Sequence, residues 1–346
     1  MTCALCRERT ADKKNTHYLT DGIIRTCLNL DGSKNREKGF HFGFSTYSPY
    51  VEFNFQRETP IQKVEAALGR EVTEKEIEKA KKNRYTVDYV FCSTCENNFS
   101  EIENNFISKI LPKFRNNDLT NLDRIFLDEI KIVRLFFYMQ IWRTAICNNN
   151  FTISVDVTEN LRHIILNYMT IMENDINHYP LAITYLQTLG DQAEYTSNSV
   201  SITNDRNPNL IFMNDFVIQF FENSESVRYF DFYGLTTQQN FKELINAGEQ
   251  EFVINIFQNE KRKQLINDFA KADYVKKAIM YYKYGFIISW FYHFGVYPSY
   301  QTIYEYFQEL SKDNELYLLH YTKENVEKLT EQFIIKKMVK YTIEKK

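Results

Sequence analysis

Six cysteines stand in the 346-residue chain, and four of them form two C-x2-C pairs, Cys3/Cys6 and Cys92/Cys95. Two-residue spacing lets both sulfurs of a pair turn toward one ion, and a tetrahedral zinc site takes four such ligands with Zn–S near ~2.3 Å. The pairs predict a structural zinc on Cys3, Cys6, Cys92 and Cys95. The other reading is two unrelated pairs of buried thiols, because the pairs stand much further apart than in compact C-x2-C repeats. Cys27 and Cys147 are isolated and read as core or exposed thiols, with Cys27 also a surrogate ligand. His17 follows the first pair closely, in Asn15-Thr-His17-Tyr-Leu-Thr20, while Glu96 and Glu103 follow the second, seven apart and so on one helical face. A histidine can take a proton near neutral pH, and a pair of carboxylates can hold Mg2+ or Mn2+.

Positioning these groups requires a small mixed unit. Phe40 to Phe44 and Tyr50 to Phe55 alternate with period two and predict strands. Thr59-Pro60 with a stop at Gly69, and the capping box Thr73-x-x-Glu76, predict two short helices. Tyr85 to Phe91 reads as a strand running into Cys92, and Phe99, Ile102, Phe106 and Ile110 then fall on one helical face. The second cysteine pair thus opens a helix, whose positive end favours thiolate. Beyond residue 115 the chain reads as mainly helical. Leu122 to Ile146 is apolar all round and predicts a buried central helix, and Thr158 to about Met172 predicts another. Between these and helices at about 259–294, 299–311 and 322–340 lies a small antiparallel sheet from Leu181–Leu189, a hairpin turning at Asn214-Asp215, Tyr229–Tyr233 and Glu251–Phe257. The predicted fold is α+β, with a zinc-bearing unit over 1–115 carrying an insertion at about 40–84, and a mainly helical domain over 116–346.

The order of C-x2-C, a histidine, strands and a second C-x2-C opening a helix resembles the zinc-containing, treble-clef branch of the HNH (ββα-metal) endonuclease superfamily. More narrowly it resembles a bacterial group with C-x2-C, Ser/Thr-His and C-x2-C-Glu, here Cys3/Cys6, Thr16-His17 and Cys92-Ser-Thr-Cys95-Glu96. In that group an apolar helix ending in Trp-Arg follows, as Trp142-Arg143 does here. The resemblance implies a metal-dependent nuclease with His17 as general base, DNA or RNA as substrate and a role in phage defence; Glu96 and Glu103, seven apart, would hold a catalytic Mg2+ or Mn2+ in an altered centre. Three family positions are changed: the acid before the histidine is Thr16, the usual Pro after it is Thr20, and the metal-binding histidine of the helix is Glu96. The other class of function is a non-catalytic zinc module binding nucleic acid or a protein partner. On that reading His17 bonds a backbone carbonyl, Glu96 complements the helix dipole, and Glu103 pairs with a buried arginine.

Composition narrows the field. Lys plus Arg is 42 against 45 Asp plus Glu, so no global charge calls for nucleic acid or a membrane. A local basic stretch, Lys261-Arg262-Lys263 with Lys271, Lys276, Lys277 and Lys283 beyond, could meet a phosphate backbone or form a solvated helix face, and the Tyr/Phe series at 281–292, which would suit base stacking, reads first as core packing. The chain shows no secretory leader and no apolar run near the ~18 residues of a membrane span. The expected compartment is the cytoplasm, where such cysteines hold metal rather than form disulfides. A protein partner or homo-oligomer stays open. Gly-rich phosphate loops, G-x-S-x-G and H-E-x-x-H are absent, which removes nucleotide hydrolysis, serine hydrolysis and zinc proteolysis.

Overall fold

A computed structural model describes residues 1–24, 40–43, 48, 50, 52–55, 58–68, 70–82, 85–173, 176, 179–188, 200–203, 208–248 and 251–344; Cys27 and Gly69 lie outside them. The N-terminal elements are β1 (Thr16–His17), α1 (Asp21–Ile24), β2 (Phe40–Gly43), β3 (Glu52–Phe55), α2 (Ile61–Leu68), α3 (Glu74–Ala80), β4 (Thr86–Val87), α4 (Ser93–Lys109) and α5 (Leu111–Arg115). Then follow β5 (Arg124–Leu127), α6 (Ile130–Cys147), α7 (Val155–Leu166), β6 (Leu181–Leu186), β7 (Val200–Thr203), β8 (Asn209–Met213), β9 (Phe216–Phe220) and β10 (Phe252–Phe257). Helices α8 (Asn259–Ala270), α9 (Lys276–Phe294), α10 (Tyr300–Ser311) and α11 (Lys323–Glu344) close the chain, and a π-helical turn at Lys271–Val275 joins α8 to α9. No helix among the described residues is long and apolar enough to cross a membrane.

Two compact units result, and they do not follow the expected division at 115/116. Unit 1 is Met1–Gly39 with Gln56–Leu265, and unit 2 is Phe40–Phe55 with Ile266–Lys346. The reason within unit 1 is α6. Its residues from Val133 to Thr144 are all buried, as a helix apolar on every side requires. On one side α4 packs against it, with the Phe106 ring stacked on Phe136 at 3.8 Å. On another the sheet packs, the Phe137 ring lying 5.8 Å from Phe216 and 6.3 Å from Phe252. The cysteine-bearing segment and the sheet therefore share one core.

That sheet has six strands in the order β5-β10-β6-β9-β8-β7. It is larger than the small antiparallel sheet expected, and β6 pairs parallel with β10. Both of these strands are buried along their whole length, which explains their near-continuous apolar runs. The Asn214-Asp215 turn forms as expected: Met213 pairs with Phe216, and Asn214 takes φ 58°, a left-handed conformation asparagine tolerates. Arg115 of α5 donates from Nε to the Asp215 carboxylate at 2.7 Å and ties the turn to the helical layer. Three expectations fail. Of the strand expected over Tyr85–Phe91 only Thr86–Val87 forms, as β4. Arg124–Leu127, taken as the start of the central helix, is an edge strand paired to β10, and Tyr229–Tyr233 is not a strand. An edge strand needs only a partner's free backbone edge, which local sequence does not reveal.

Unit 2 gathers β2 and β3, an antiparallel pair with Phe40 opposite Phe55, with α9, α10 and α11. The Tyr50 ring lies against Tyr282 at 5.7 Å, and Phe286 stacks on Tyr306 at 4.1 Å inside the helical core. Of the segment read as an insertion at about 40–84, Phe40–Phe55 thus groups with the C-terminal helices, while Gln56 onward, with α2 and α3, stays in unit 1.

The predicted capping box of α3 forms in unit 1. Glu76 N–H donates to the Thr73 hydroxyl at 3.4 Å, and the Glu76 carboxylate accepts from Thr73 N–H at 2.9 Å. Arg70 beside it holds the Glu76 carboxyl down, at about 2 against an ordinary 4.5. A folded value below the unfolded one means stability that is full above pH 4.5 and lost as pH falls toward 2. Thr73→Ala should therefore cost about 1 kcal/mol. Glu76→Gln should lower the melting temperature at neutral pH, with the deficit vanishing over that acid window; a deficit that persists through it would remove the carboxylate from the account.

Candidate metal centre

The first cysteine pair sits in a tight backbone knuckle. Thr2 and Thr10 form a bridge, Cys3 N–H donates to the Arg9 carbonyl at 2.8 Å, and Arg7 N–H to the Cys3 carbonyl at 2.9 Å, with Arg7 at φ 58°. The second pair stands at the N-terminus of α4. Cys92 is its N-cap residue in extended conformation and makes no side-chain cap bond. Asp12 supplies the cap instead: its carboxylate accepts from Ser93 N–H at 2.8 Å and from the Ser93 hydroxyl at 2.7 Å. Backbone bonds from Ala4 to Val90 and from Lys13 to Phe91 lay one pair over the other.

The result brings Cys3, Cys6, Cys92 and Cys95 together, with all four sulfurs within 4.8 Å of one another. Cys6 Sγ and Cys92 Sγ lie 4.0 Å apart, close to the about 3.8 Å edge of a tetrahedron built on Zn–S bonds. Cys3, Cys92 and Cys95 are buried and Cys6 is half-buried. Burial pushes the Cys3 and Cys95 thiols up, and neighbouring sulfurs raise Cys95 further. Burial also acts on Cys6, but the backbone groups of Glu8 and Arg9 and the Cys95 and Cys3 thiols together bring that thiol to about 7. Four sulfurs this close can ionise together only with a cation among them. The Arg9 guanidinium beside Cys92 adds positive charge from outside. The four cysteines could therefore hold a metal ion such as zinc.

The centre is braced against the core of unit 1. Phe91, just before Cys92, has its ring 5.0 Å from Phe99 and 5.9 Å from Trp142 of α6. Buried Arg162 of α7 donates to the carbonyl of Leu5, between the two cysteines of the knuckle, at 2.9 Å. Glu159 of the same helix pairs with Arg7.

His17, Glu96 and Glu103 lie in the same unit but form no second ligand cluster; among the described residues the four cysteines are the group whose ligand atoms converge. His17 sits on β1 opposite Thr86, with Nε2 3.8 Å from Asp21 Oδ1. Thr16, the residue before it, is buried and lies near Glu96. Burial raises the Glu96 carboxyl, and Arg143 pulls the other way. Glu103 is committed: it accepts from Arg143 Nη1 at 2.7 Å and from the Thr20 hydroxyl at 2.9 Å. Gln140 completes this network, donating to Thr20 Oγ1 at 2.7 Å and accepting from Thr20 N–H at 3.0 Å.

Sequence reasoning passed over Asp12, Asp21 and Gln140 as members of the site, and marked Thr20 only as the replacement of a family Pro. Arg143 and Gln140 did carry a signal, since polar groups inside an all-apolar helix must find partners. The basic stretch is corrected. Arg262 is 1% exposed, with Nε donating to the Gln187 carbonyl at 3.0 Å and Nη2 to Asn259 Oδ1 at 3.2 Å, so it cannot meet a phosphate backbone. Lys261 lies 5.9 Å from the Phe257 ring centroid and Lys263 pairs with Glu260 at 3.6 Å. No protein-family model, curated protein or solved structure matches the chain.

Proposed function

We propose that this chain is a zinc-stapled binding module without nuclease activity. Its N-terminal part is an HNH-like treble clef whose hydrolytic centre has been converted into structural contacts. The observation that carries this reading is the commitment of Glu103 to Arg143 and Thr20. A catalytic Mg2+ demands near-octahedral oxygen ligands. Here Thr16 stands where the family places an acid, Glu96 stands where it places a histidine, and the cation beside both carboxylates is a guanidinium. Zinc on the four cysteines would supply folding free energy, and a cytoplasmic setting would keep the thiols reduced.

A nuclease reading keeps one supporting observation, the approach of Asp21 to His17, since a carboxylate there could orient a general base. The two readings separate on protein purified without added metal. Metal analysis should find one zinc per chain. Plasmid, single-stranded DNA and RNA incubated with Mg2+ or Mn2+ should stay intact, and His17→Ala should leave zinc content and melting temperature unchanged. Divalent-dependent cleavage that disappears in His17→Ala would overturn the proposal in favour of hydrolysis.

A further inference from the structure

Helix α9 carries two apolar faces. One, with Ala278, Tyr282, Phe286 and Trp290 in i, i+4 steps, is buried in the core of unit 2. The opposite face presents Tyr281, Tyr284, Phe291 and Tyr292 to solvent. Gly295, at φ 69°, ends the helix in a left-handed turn, and Tyr297 and Tyr300 carry the exposed rings on to the start of α10. Tyr292 is 84% exposed and Tyr300 83%, values that exclude a role in packing this unit. Phe291 and Tyr297 have ring centroids 5.1 Å apart. From Lys277 to Tyr292 the face runs for about 22 Å along the helix.

Charge decides what could cover it. Helix α9 contains no Asp or Glu, and among the described residues its Lys276, Lys277 and Lys283 make no ion pair. The acids of α10 are taken, Glu305 by Lys337 and Glu309 by Lys336. Helical geometry sets Lys277 in line with Tyr281, Tyr284 and Ile288, with Lys283 on the flank. A second copy of this face would set lysine against lysine with no carboxylate to receive either. A flexible polyanion bearing flat rings satisfies both features, because bases stack on aromatic side chains while phosphates neutralise the lysines.

We propose that the α9–α10 face binds single-stranded nucleic acid, with bases stacked on Tyr284, Phe291 and Tyr292 and phosphates on Lys277 and Lys283. The proposal stands on unit 2 alone and names a partner that the zinc reading leaves open, so either can fail without the other. The test is fluorescence anisotropy on the full zinc-loaded chain with oligo(dT) and oligo(U) of roughly 16 nucleotides, against a duplex of equal length. Single strands should bind more tightly than duplex. Tyr284→Ala/Tyr292→Ala should weaken binding by about tenfold or more per ring, with zinc content and melting temperature unchanged because both rings are exposed. Lys277→Gln/Lys283→Gln should flatten the slope of log affinity against log salt by about 1.4.

Absence of single-strand binding, or binding that the ring variant does not diminish, would overturn the proposal. So would ring-dependent attachment to phosphatidylserine vesicles without oligonucleotide binding, which would make the face a lipid contact. Ring-dependent self-association in sedimentation velocity without oligonucleotide binding would make it a contact between copies, and would equally overturn it.

Discussion

Cys95→Ser is expected to abolish metal binding and to unfold the N-terminal segment of unit 1. A serine hydroxyl keeps the size of the thiol but is not ionised near neutral pH, so the site loses a ligand at its buried end. Apparent binding free energies of structural zinc reach about 10–16 kcal/mol in small zinc-dependent peptides, against about 5–15 kcal/mol for the net stability of a whole domain. Losing one ligand therefore competes with the entire margin of the fold. Besides the metal the knuckle is held by a short bridge, a few backbone contacts, the Arg162 donation to Leu5 and the Arg7–Glu159 pair, each small beside what a bound ion supplies. Metal analysis should fall from one zinc per chain to none, and proteolysis should open the chain within residues 1–24. Cys147→Ser is the control, since that thiol stands outside the cluster and burial holds it protonated, at about 12. A Cys95→Ser protein with full zinc and an unchanged melting temperature would remove the metal centre.

Arg143→Met should be the most damaging change outside the cysteines. The guanidinium is almost wholly buried, pairs with Glu103 at 2.7 Å and lies 4.8 Å from the Phe99 ring. Methionine restores most of the volume but leaves Glu103, and Glu96 beside it, without a counter-charge in the core. Breaking a buried pair from one side costs about 3–5 kcal/mol, and the remaining exposure of Glu103, 21%, points to the lower end. The double variant Arg143→Met/Glu103→Gln should recover part of the loss, because it removes the unpaired Glu103 charge and the repulsion of Glu96, while Glu96 itself still lacks the guanidinium. Urea unfolding of the four proteins in the cycle measures the coupling directly. A single variant within about 0.5 kcal/mol of wild type would place Arg143 among ordinary surface charges.

These two expectations divide by what local sequence can encode. Two-residue cysteine spacing, a capping box, an all-round apolar helix and an Asn-Asp turn act over a few residues, and each produced the element its chemistry implies. The meeting of the cysteine pairs is distant in sequence, and the spacing points to it only through the four ligands a zinc site takes, with unrelated thiol pairs as the other reading.

The rest depended on contacts distant in sequence. Glu103 could have served an ion or a guanidinium, and its choice was settled only when α6 packed on α4 and brought Arg143 to it. Lys261-Arg262-Lys263 reads locally as one basic patch, yet the Gln187 carbonyl takes Arg262 into the interior and leaves its neighbours outside. Likewise Tyr50 sits between the cysteine pairs in sequence but packs on Tyr282 of α9. Helical and turn chemistry is written into the chain at short range; which buried charge meets which partner is decided by topology, because an unpaired charge in the core is too costly to leave where local pattern alone would put it.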